Sequence, residues 1–401
     1  MKRFPFILKI FGALVACAPV WAEAASPAVG DVINADNVEQ YAEYLAPGWA
    51  LRVSEGEEIH VFETTPWKQI MLPKWQELTE ENRGKAKLID EAGTLAYEDD
   101  GPWPGGVPFP EPETALEVMV NFQFHIEADD WSVPQNKPVA MSRLELHKGG
   151  KPIKQQLVSV SRTRMTSRAF FDPMPSIPGY EDELERTVTL FLSPYDVNGL
   201  ATLSIIYRDQ SKLPNAFAYV PVLRRVRRTP TNQRADSVGG TDLTIGDLQG
   251  FSDPLGMWDF KILGRRSMLA TMTRAPAAAA PPDPTPMVAG RFISPYASAE
   301  LRDTYIIEAI PKYDTIYSKK ILYLDAHTFR PTVTDFYDKQ GKLLKSYHIY
   351  WSWDNWPNPR LVFIHNLQTR SVTTNSNFNI QGNVNPPLRN MLESSLSEFS
   401  R

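Results

Sequence analysis

Between Met141 and Leu367 the chain is a succession of short runs in which alternate residues are apolar, with turn residues between them. Successive side chains of a strand take opposite faces, so such runs read as an antiparallel sheet. They are Met141–Leu146, Gln156–Arg164, Thr187–Leu192, Leu200–Tyr207, Phe217–Val226 and Trp258–Met268. Tyr305–Ala309, Lys320–Leu324, Arg330–Tyr337, Lys342–Trp353 and Arg360–Leu367 follow as a meander. Asp338-Lys-Gln-Gly341 is hairpin chemistry, with glycine where positive φ is required. Thirty-four prolines in 401 residues limit helix length. The expected class is α+β, mainly β.

Outside these runs the signals are weaker. Asp36-x-x-Glu39 predicts a capping box for a short helix carrying Val38, Tyr41 and Leu45, ended by Pro47-Gly48. A second, polar helix is predicted over Glu77–Arg83, and Ala115–Asp129 suits helix or strand equally. Residues 98–112 are too rich in Pro and Gly for regular structure, although Trp103 and Phe109 favour a packed loop. The expected organisation is an N-terminal helix and proline-rich segment over 25–113 and a main domain over 114–370. A low-complexity Pro/Ala insertion lies at 275–287, and a polar tail with one short helix at 371–401.

The first residues read as an export signal. Met1–Lys9 is basic, Ile10–Val20 is apolar and Ala22-Glu-Ala24 fits small-x-small cleavage, giving a signal peptide over 1–24. Leu14-Val-Ala-Cys17 also matches a lipobox, which would place cleavage after residue 16 and an acyl group on Cys17. Either reading leads to the periplasm, with attachment to the outer membrane if Cys17 is acylated. Cys17 is the one cysteine, so the exported portion has no disulfide. Net charge is −5, and about −7 without the first 24 residues, which argues against a nucleic-acid partner.

Five arginines (Arg224, Arg225, Arg227, Arg228, Arg234) precede five aspartates (Asp236, Asp242, Asp247, Asp253, Asp259) in one strand–loop–strand stretch. Read as a single strand, Phe217–Val226 places Arg225 and Arg227 on the face of Tyr219 and Leu223. Arg224 and Arg228 then share the face of Val220 and Val222. Guanidinium groups near an apolar layer need paired carboxylates, and the loop aspartates are the expected partners. Two readings stay open: an ion network pinning the loop, or an arginine-lined mouth for an anionic or amphipathic ligand. The rim candidates are Tyr219, Arg224, Arg225, Arg227, Arg228, Asp236, Asp242, Trp258 and Lys261, since arginine suits phosphate and carboxylate.

Catalytic signatures are scarce. The chain has no Gly-x-Ser-x-Gly elbow, phosphate loop or His-Glu-x-x-His helix, and its six histidines lack metal-ligand spacing. No enzyme activity, cofactor or metal is therefore expected. In Tyr347, Tyr350, Trp351, Trp353 and Trp356 the aromatic run suits either a strand packed on both faces or a lipid cavity. Leu223, Tyr347, Ile349 and Trp351 are the cavity candidates.

Two stretches carry a family resemblance. Ile321-Leu-Tyr-Leu-Asp-Ala-His-Thr-Phe-Arg-Pro-Thr-Val-Thr-Asp-Phe-Tyr-Asp-Lys-Gln-Gly-Lys-Leu-Leu-Lys345 resembles the strand–hairpin signature of the outer-membrane lipoprotein-sorting (LolA-like) superfamily. The Arg-Arg-Val-Arg-Arg block with Gln233-Arg-Ala-Asp236, Gly240-Thr-Asp242 and Trp258-Asp-Phe-Lys-Ile-Leu-Gly264 resembles domain of unknown function 1329. Asp36-Asn-Val-Glu-Gln-Tyr41 and Val107-Pro-Phe-Pro110 fit the same family. The resemblance implies a curved antiparallel sheet, an incomplete half-open barrel closed by a few helices, around a cavity able to hold acyl chains. It implies a periplasmic carrier of a lipid, lipoprotein acyl chain or other amphipathic cargo. The implied partners are a resistance-nodulation-division-type permease or an outer-membrane barrel protein, and the alternative role is an accessory subunit of such a system.

Overall fold

The structure, a computed structural model, describes residues 26–98, 100–132, 142–230, 234, 236–272, 297–353, 356–377 and 380–399, and the backbone of 287–288 and 291–292. The export segment, Cys17 and residues 275–286 lie outside the described residues.

Two meanders make one sheet. The first is β1 (Ser142–Lys148), β2 (Lys151–Arg164), β3 (Glu183–Ser193), β4 (Ala201–Tyr207), β5 (Asn215–Val220) and β6 (Arg225–Thr229). The second is β7 (Trp258–Ala270), β8 (Ala297–Pro311), β9 (Tyr317–Asp325), β10 (Pro331–Asp338), β11 (Leu343–Ser352), β12 (Asn358–Asn366) and β13 (Ser371–Asn377). Within each, sequence neighbours pair antiparallel. The two are joined by β13 against β1, with Ser371 opposite Lys148 and Asn377 opposite Ser142. The sheet curves without closing into a barrel, and among the described residues its open edges are β6 and β7. The β10–β11 turn is the expected one, with Gly341 at φ 75° and Asp338 accepting from the N–H groups of Gln340 and Lys342.

Two sequence expectations fail in this sheet. Residues 371–377 are a paired interior strand rather than a polar tail. Their Ser, Thr and Asn side chains hid them, but Thr373 and Thr374 are fully buried. Phe217–Val226 is a hairpin, not one strand: Pro221–Leu223 form a 3₁₀ turn and Arg224 adopts the left-handed conformation at φ 49°. Proline inside a run of strand residues is the signal that marks such a break.

Helices close the two faces. α1 (Pro47–Ser54) begins where the sequence reading ended a helix, because proline at the first helical position needs no intrahelical donor. Val38–Tyr44 before it is 3₁₀, and Asp36 forms no cap; Asn37 holds that position, its side chain bonded back to Asn34 and Val32 rather than to the helix. α2 (Pro73–Glu81) and α3 (Ala115–Gln123) follow, and α3 starts in a true capping box of Thr114 with Glu117. Trp103 is fully buried and its indole N–H donates 3.0 Å to the Gly106 carbonyl, so the proline-rich loop is packed.

Register places alternate residues of every strand on one continuous concave face. Its core gathers Ile307, Leu322, Phe336, Tyr347, Ile349 and Ile364 with Trp75 of α2, Met119 and Phe122 of α3, and Phe251. The convex face of β9–β12 packs on α1 through Trp49 and Val53. The convex face of β3–β5 packs under residues 388–399 through Met391 and Leu396. Each large aliphatic or aromatic side chain so buried stabilises the fold by roughly 1.5–3 kcal/mol.

Candidate functional site

Residues 236–257, which lead into β7, run as a strap across one end of the bowl. Gln156 of β2 donates 3.2 Å to the Gly239 carbonyl. The Asp242 carboxylate accepts from Asn366 at 2.7 Å, Ser371 at 2.7 Å and Thr373 at 3.2 Å. Further on, the Gln249 N–H donates to the Tyr347 hydroxyl at 3.0 Å. Gly250, at φ 86°, lies so close to β10 that a Cβ would stand 2.3 Å from Thr334 Oγ1.

At the centre of the strap, Asp247 meets two lysines of the wall. Lys320 Nζ on β9 is 3.0 Å from Oδ1 and Lys345 Nζ on β11 is 2.6 Å from Oδ2. The Tyr317 hydroxyl donates 2.6 Å to the same carboxylate, and Thr244 donates as well. Lys320 also donates to the Gly246 carbonyl at 2.8 Å and lies 3.8 Å from Asp253. The rings of Trp258, Phe251, Phe336 and Tyr317 surround its ammonium, with centroids 4.7–5.4 Å away. Asp253 is held by Arg234, by the Trp258 indole N–H at 3.0 Å and by the Tyr313 hydroxyl at 3.1 Å. Burial alone would raise the Asp247 pKa, but Lys320 and Lys345 outweigh it and hold the carboxyl down at about 2. Burial, with Asp247 adjacent, pushes the Tyr317 phenol far above its ordinary range, so it remains a donor. Three cations thus meet two carboxylates in a dry pocket.

The other end of the bowl is filled by α3 and the chain after it. Arg330 pairs with Glu127 and donates 2.9 Å to the Ile70 carbonyl. His125 stands edge-on to Trp351 at 5.9 Å, and burial, then the nearby Arg330, Arg162 and Arg164, push its pKa down to about 3. On the convex side Arg52 of α1 binds Glu57 through both guanidinium donors, at 2.7 and 2.9 Å, and contacts His348 and Tyr350. Among the described residues no group of three or more His, Cys, Asp or Glu could hold a metal ion.

The sequence-predicted site is only partly assembled. Arg224, Arg225, Arg227 and Arg228 are exposed and, among the described residues, form no ion pair; Arg228 binds Asn215 instead. Asp242, Asp247 and Asp253 are anchored by Arg234, Lys320, Lys345 and the polar side chains of β12 and β13, whereas Asp259 pairs with Lys312. The hairpin also changes the faces: Arg225 pairs with Val220 and Arg227 with Ala218, whereas Arg228 pairs with Phe217. Tyr219 therefore lies on the convex face, buried with Leu203 and Leu396. Leu223 is 41 % exposed in the turn. Asp236 and Lys261 are exposed, while Trp258 is buried beside Asp253. Tyr347, Ile349 and Trp351 do face the bowl, but they are buried under the strap and the chain around α3; the Trp351 indole N–H donates 2.9 Å to the Pro331 carbonyl. Lys320 and Lys345 were missed, although a lysine on the face of Leu322 and Leu324 is a visible break in an apolar pattern.

Among the described residues, one part of the concave wall is only partly covered. On β3, β4 and β5 the inward residues Thr187, Thr189, Thr202, Ser204, Ala216 and Ala218 are partly exposed, while Val188, Leu203 and Tyr219 between them are buried on the other face. Arg225 and Arg227 continue this wall on β6, at the end where the strap lies. These are small side chains, four hydroxyl-bearing and two alanines, so this part of the curved sheet presents methyl and hydroxyl surface.

A half-open antiparallel barrel with a charged strap across its bowl is the class that this geometry defines. The chain belongs to the DUF1329 family of proteins of unknown function, whose model matches residues 32–399. The fold is shared with a DUF1329 family protein from Desulfovibrio piger ATCC 29098, at 18% identity and TM-score 0.50, over 70% of this chain and 96% of that one. It is shared equally with a Vibrio parahaemolyticus protein described as an outer membrane lipoprotein-sorting protein domain, at 18% identity and TM-score 0.50, over 71% and 98%. A LolA superfamily protein from Nitrosomonas europaea aligns at 14% identity and TM-score 0.42, over 70% and 98%. No curated protein matches.

Proposed function

We propose that this protein is a non-enzymatic periplasmic carrier that holds a lipid, a lipoprotein acyl chain or a similar amphipath in the half-open bowl. It passes that cargo between components of the cell envelope. The observation that carries the reading is the partly exposed concave wall of β3–β5, which offers methyl surface to an alkyl chain and is bounded by Arg225 and Arg227. An alkyl chain gains about 0.8 kcal/mol for each CH₂ taken from water, so a long chain needs no polar contact to bind. Membership of the family and a fold neighbour described as lipoprotein-sorting support the same direction, as does the export-type N-terminus.

The test is direct. Protein purified without detergent is extracted into organic solvent and analysed by mass spectrometry, and fluorescent fatty acids are titrated into the stripped protein. Co-purified lipid or saturable uptake is expected; an empty extract together with no uptake would overturn the reading.

The unpaired outer edge of β6 favours a second reading, an accessory subunit docked on a permease or outer-membrane barrel by strand addition. Cross-linking in cells separates the two. Capture of one membrane partner by protein that carries no lipid would select the subunit.

A further inference from the structure

We propose that Lys320 and Lys345 form a seat for the anionic group of the cargo, a carboxylate or phosphate, and that Asp247 of the strap fills this seat while the bowl is empty. The proposal rests on the carrier reading above and names the cargo class: an anionic amphipath rather than a neutral one.

Both lysines belong to the wall. They lie on the concave face of β9 and β11, 0 % and 3 % exposed, among Leu322, Phe336 and Tyr347. A wall built only for alkyl chains has no use for two buried ammonium groups, each of which costs several kcal/mol to dehydrate unless an anion faces it. The carboxylates that contact them, Asp247 and Asp253, both come from the strap rather than from the sheet. Over residues 236–253 the strap is held to the wall by side-chain contacts and by burial of Leu243 and Phe251, and its backbone bonds to the rest of the fold lie further on, at Gly256 and Met257. It can therefore withdraw without breaking any strand pairing.

The geometry suits a two-oxygen anion. Asp247 gives one oxygen to each lysine, and the Tyr317 hydroxyl donates to the second oxygen. A cargo carboxylate or phosphate presents the same pair of acceptors in the same spacing. Among the described residues the seat carries a surplus of positive charge even with the strap in place, since Arg234, Lys320 and Lys345 are paired with Asp247 and Asp253. The aromatic enclosure of Lys320 keeps water out, where an ion pair is strongest. Arg225 and Arg227, exposed at the same end, draw an anion toward the bowl, and the lysines hold it.

The experiment uses oleate, oleyl alcohol and inorganic phosphate as probes. In the wild-type protein, oleate is expected to bind and to raise amide hydrogen exchange over residues 244–253, as the strap leaves the seat. Oleyl alcohol and phosphate alone leave that exchange unchanged. In Asp247→Asn the competing carboxylate is gone, so oleate affinity rises about tenfold, within the range usual for coupled sites, while oleyl alcohol affinity stays as it was. Lys320→Met with Lys345→Met removes the preference for oleate over the alcohol. Oleate binding that leaves exchange over 244–253 unaltered, or an equal response to oleyl alcohol, overturns the seat but leaves the carrier. The same rise with phosphate alone overturns the amphipath as its ligand. Absence of any lipid binding overturns both.

Discussion

The backbone N–H of Gly48 meets the Asp335 carboxylate at 3.0 Å, which pins the first turn of α1 to the convex face of β10. The approach leaves no room for a side chain: a Cβ on Gly48 would stand 2.3 Å from Ser346 Cβ and 2.4 Å from Asp335 Oδ1. Gly48→Ala is expected to lower stability by about 2 kcal/mol or more through forced displacement of α1. Gly264→Ala, where nothing lies within 4 Å, should stay within about 0.5 kcal/mol. Urea denaturation of the two variants checks the contrast.

Asp335 also gives the fold a pH dependence of unusual sign for an acid. Burial pushes its pKa up to about 6; the bonds from Ser346 and Gly48 and the field of Arg52 offset this only in part. One of its oxygens has no hydrogen-bond partner. A carboxyl raised above its unfolded value near 4 favours the folded state when protonated. Its contribution is complete below about pH 4 and is lost as pH rises through about 6, a change on the order of 3 kcal/mol. In Asp335→Asn the urea midpoint should lose this component of its fall between pH 4 and 8.

Asp247 behaves in the opposite way. Its folded pKa is depressed to about 2, so its contribution is present above about pH 4 and is lost as pH falls toward 2. Asp247→Asn strands two buried lysines and should cost about 3 kcal/mol at neutral pH in the lipid-free protein. Between pH 7 and pH 3 the gap in stability between variant and wild type should narrow by about half.

Arg225 and Arg227 are exposed and, among the described residues, unpaired, so replacing both with Gln should leave the melting temperature nearly unchanged. Stopped-flow association of a fluorescent fatty acid should slow, and its dependence on salt should weaken. A large loss of stability would place the two arginines in the structural network instead.

Much of this fold is legible in the chain. Strands β7 to β12 are legible as short runs of strand-forming residues bounded by turn residues, although β9 to β12 are buried on both faces, and the β10–β11 hairpin is spelled out by Asp338 and Gly341. The failures share a cause, which is that local chemistry was outvoted by long-range contact. Ser371–Asn377 has the composition of a tail, yet it is a strand because β1 and β12 supply partners on both sides. Pro47 and Gly48 read as a stop, yet Asp335, distant in sequence, makes them a helix start. At the candidate site the aspartates of the strap were recognised as needing cations. Their actual partners, Lys320 and Lys345, lie some 70 to 100 positions downstream, beyond the reach of spacing arguments.

The join between β13 and β1 carries a cost in time. Six strands near the middle of the chain must wait for residues 371–377 before their inner edge is covered, and that edge pairs across more than 220 positions of sequence. A chain with such distant partners folds slowly. As it is synthesised, the chain exposes a sticky, half-made sheet until residues 371–377 arrive.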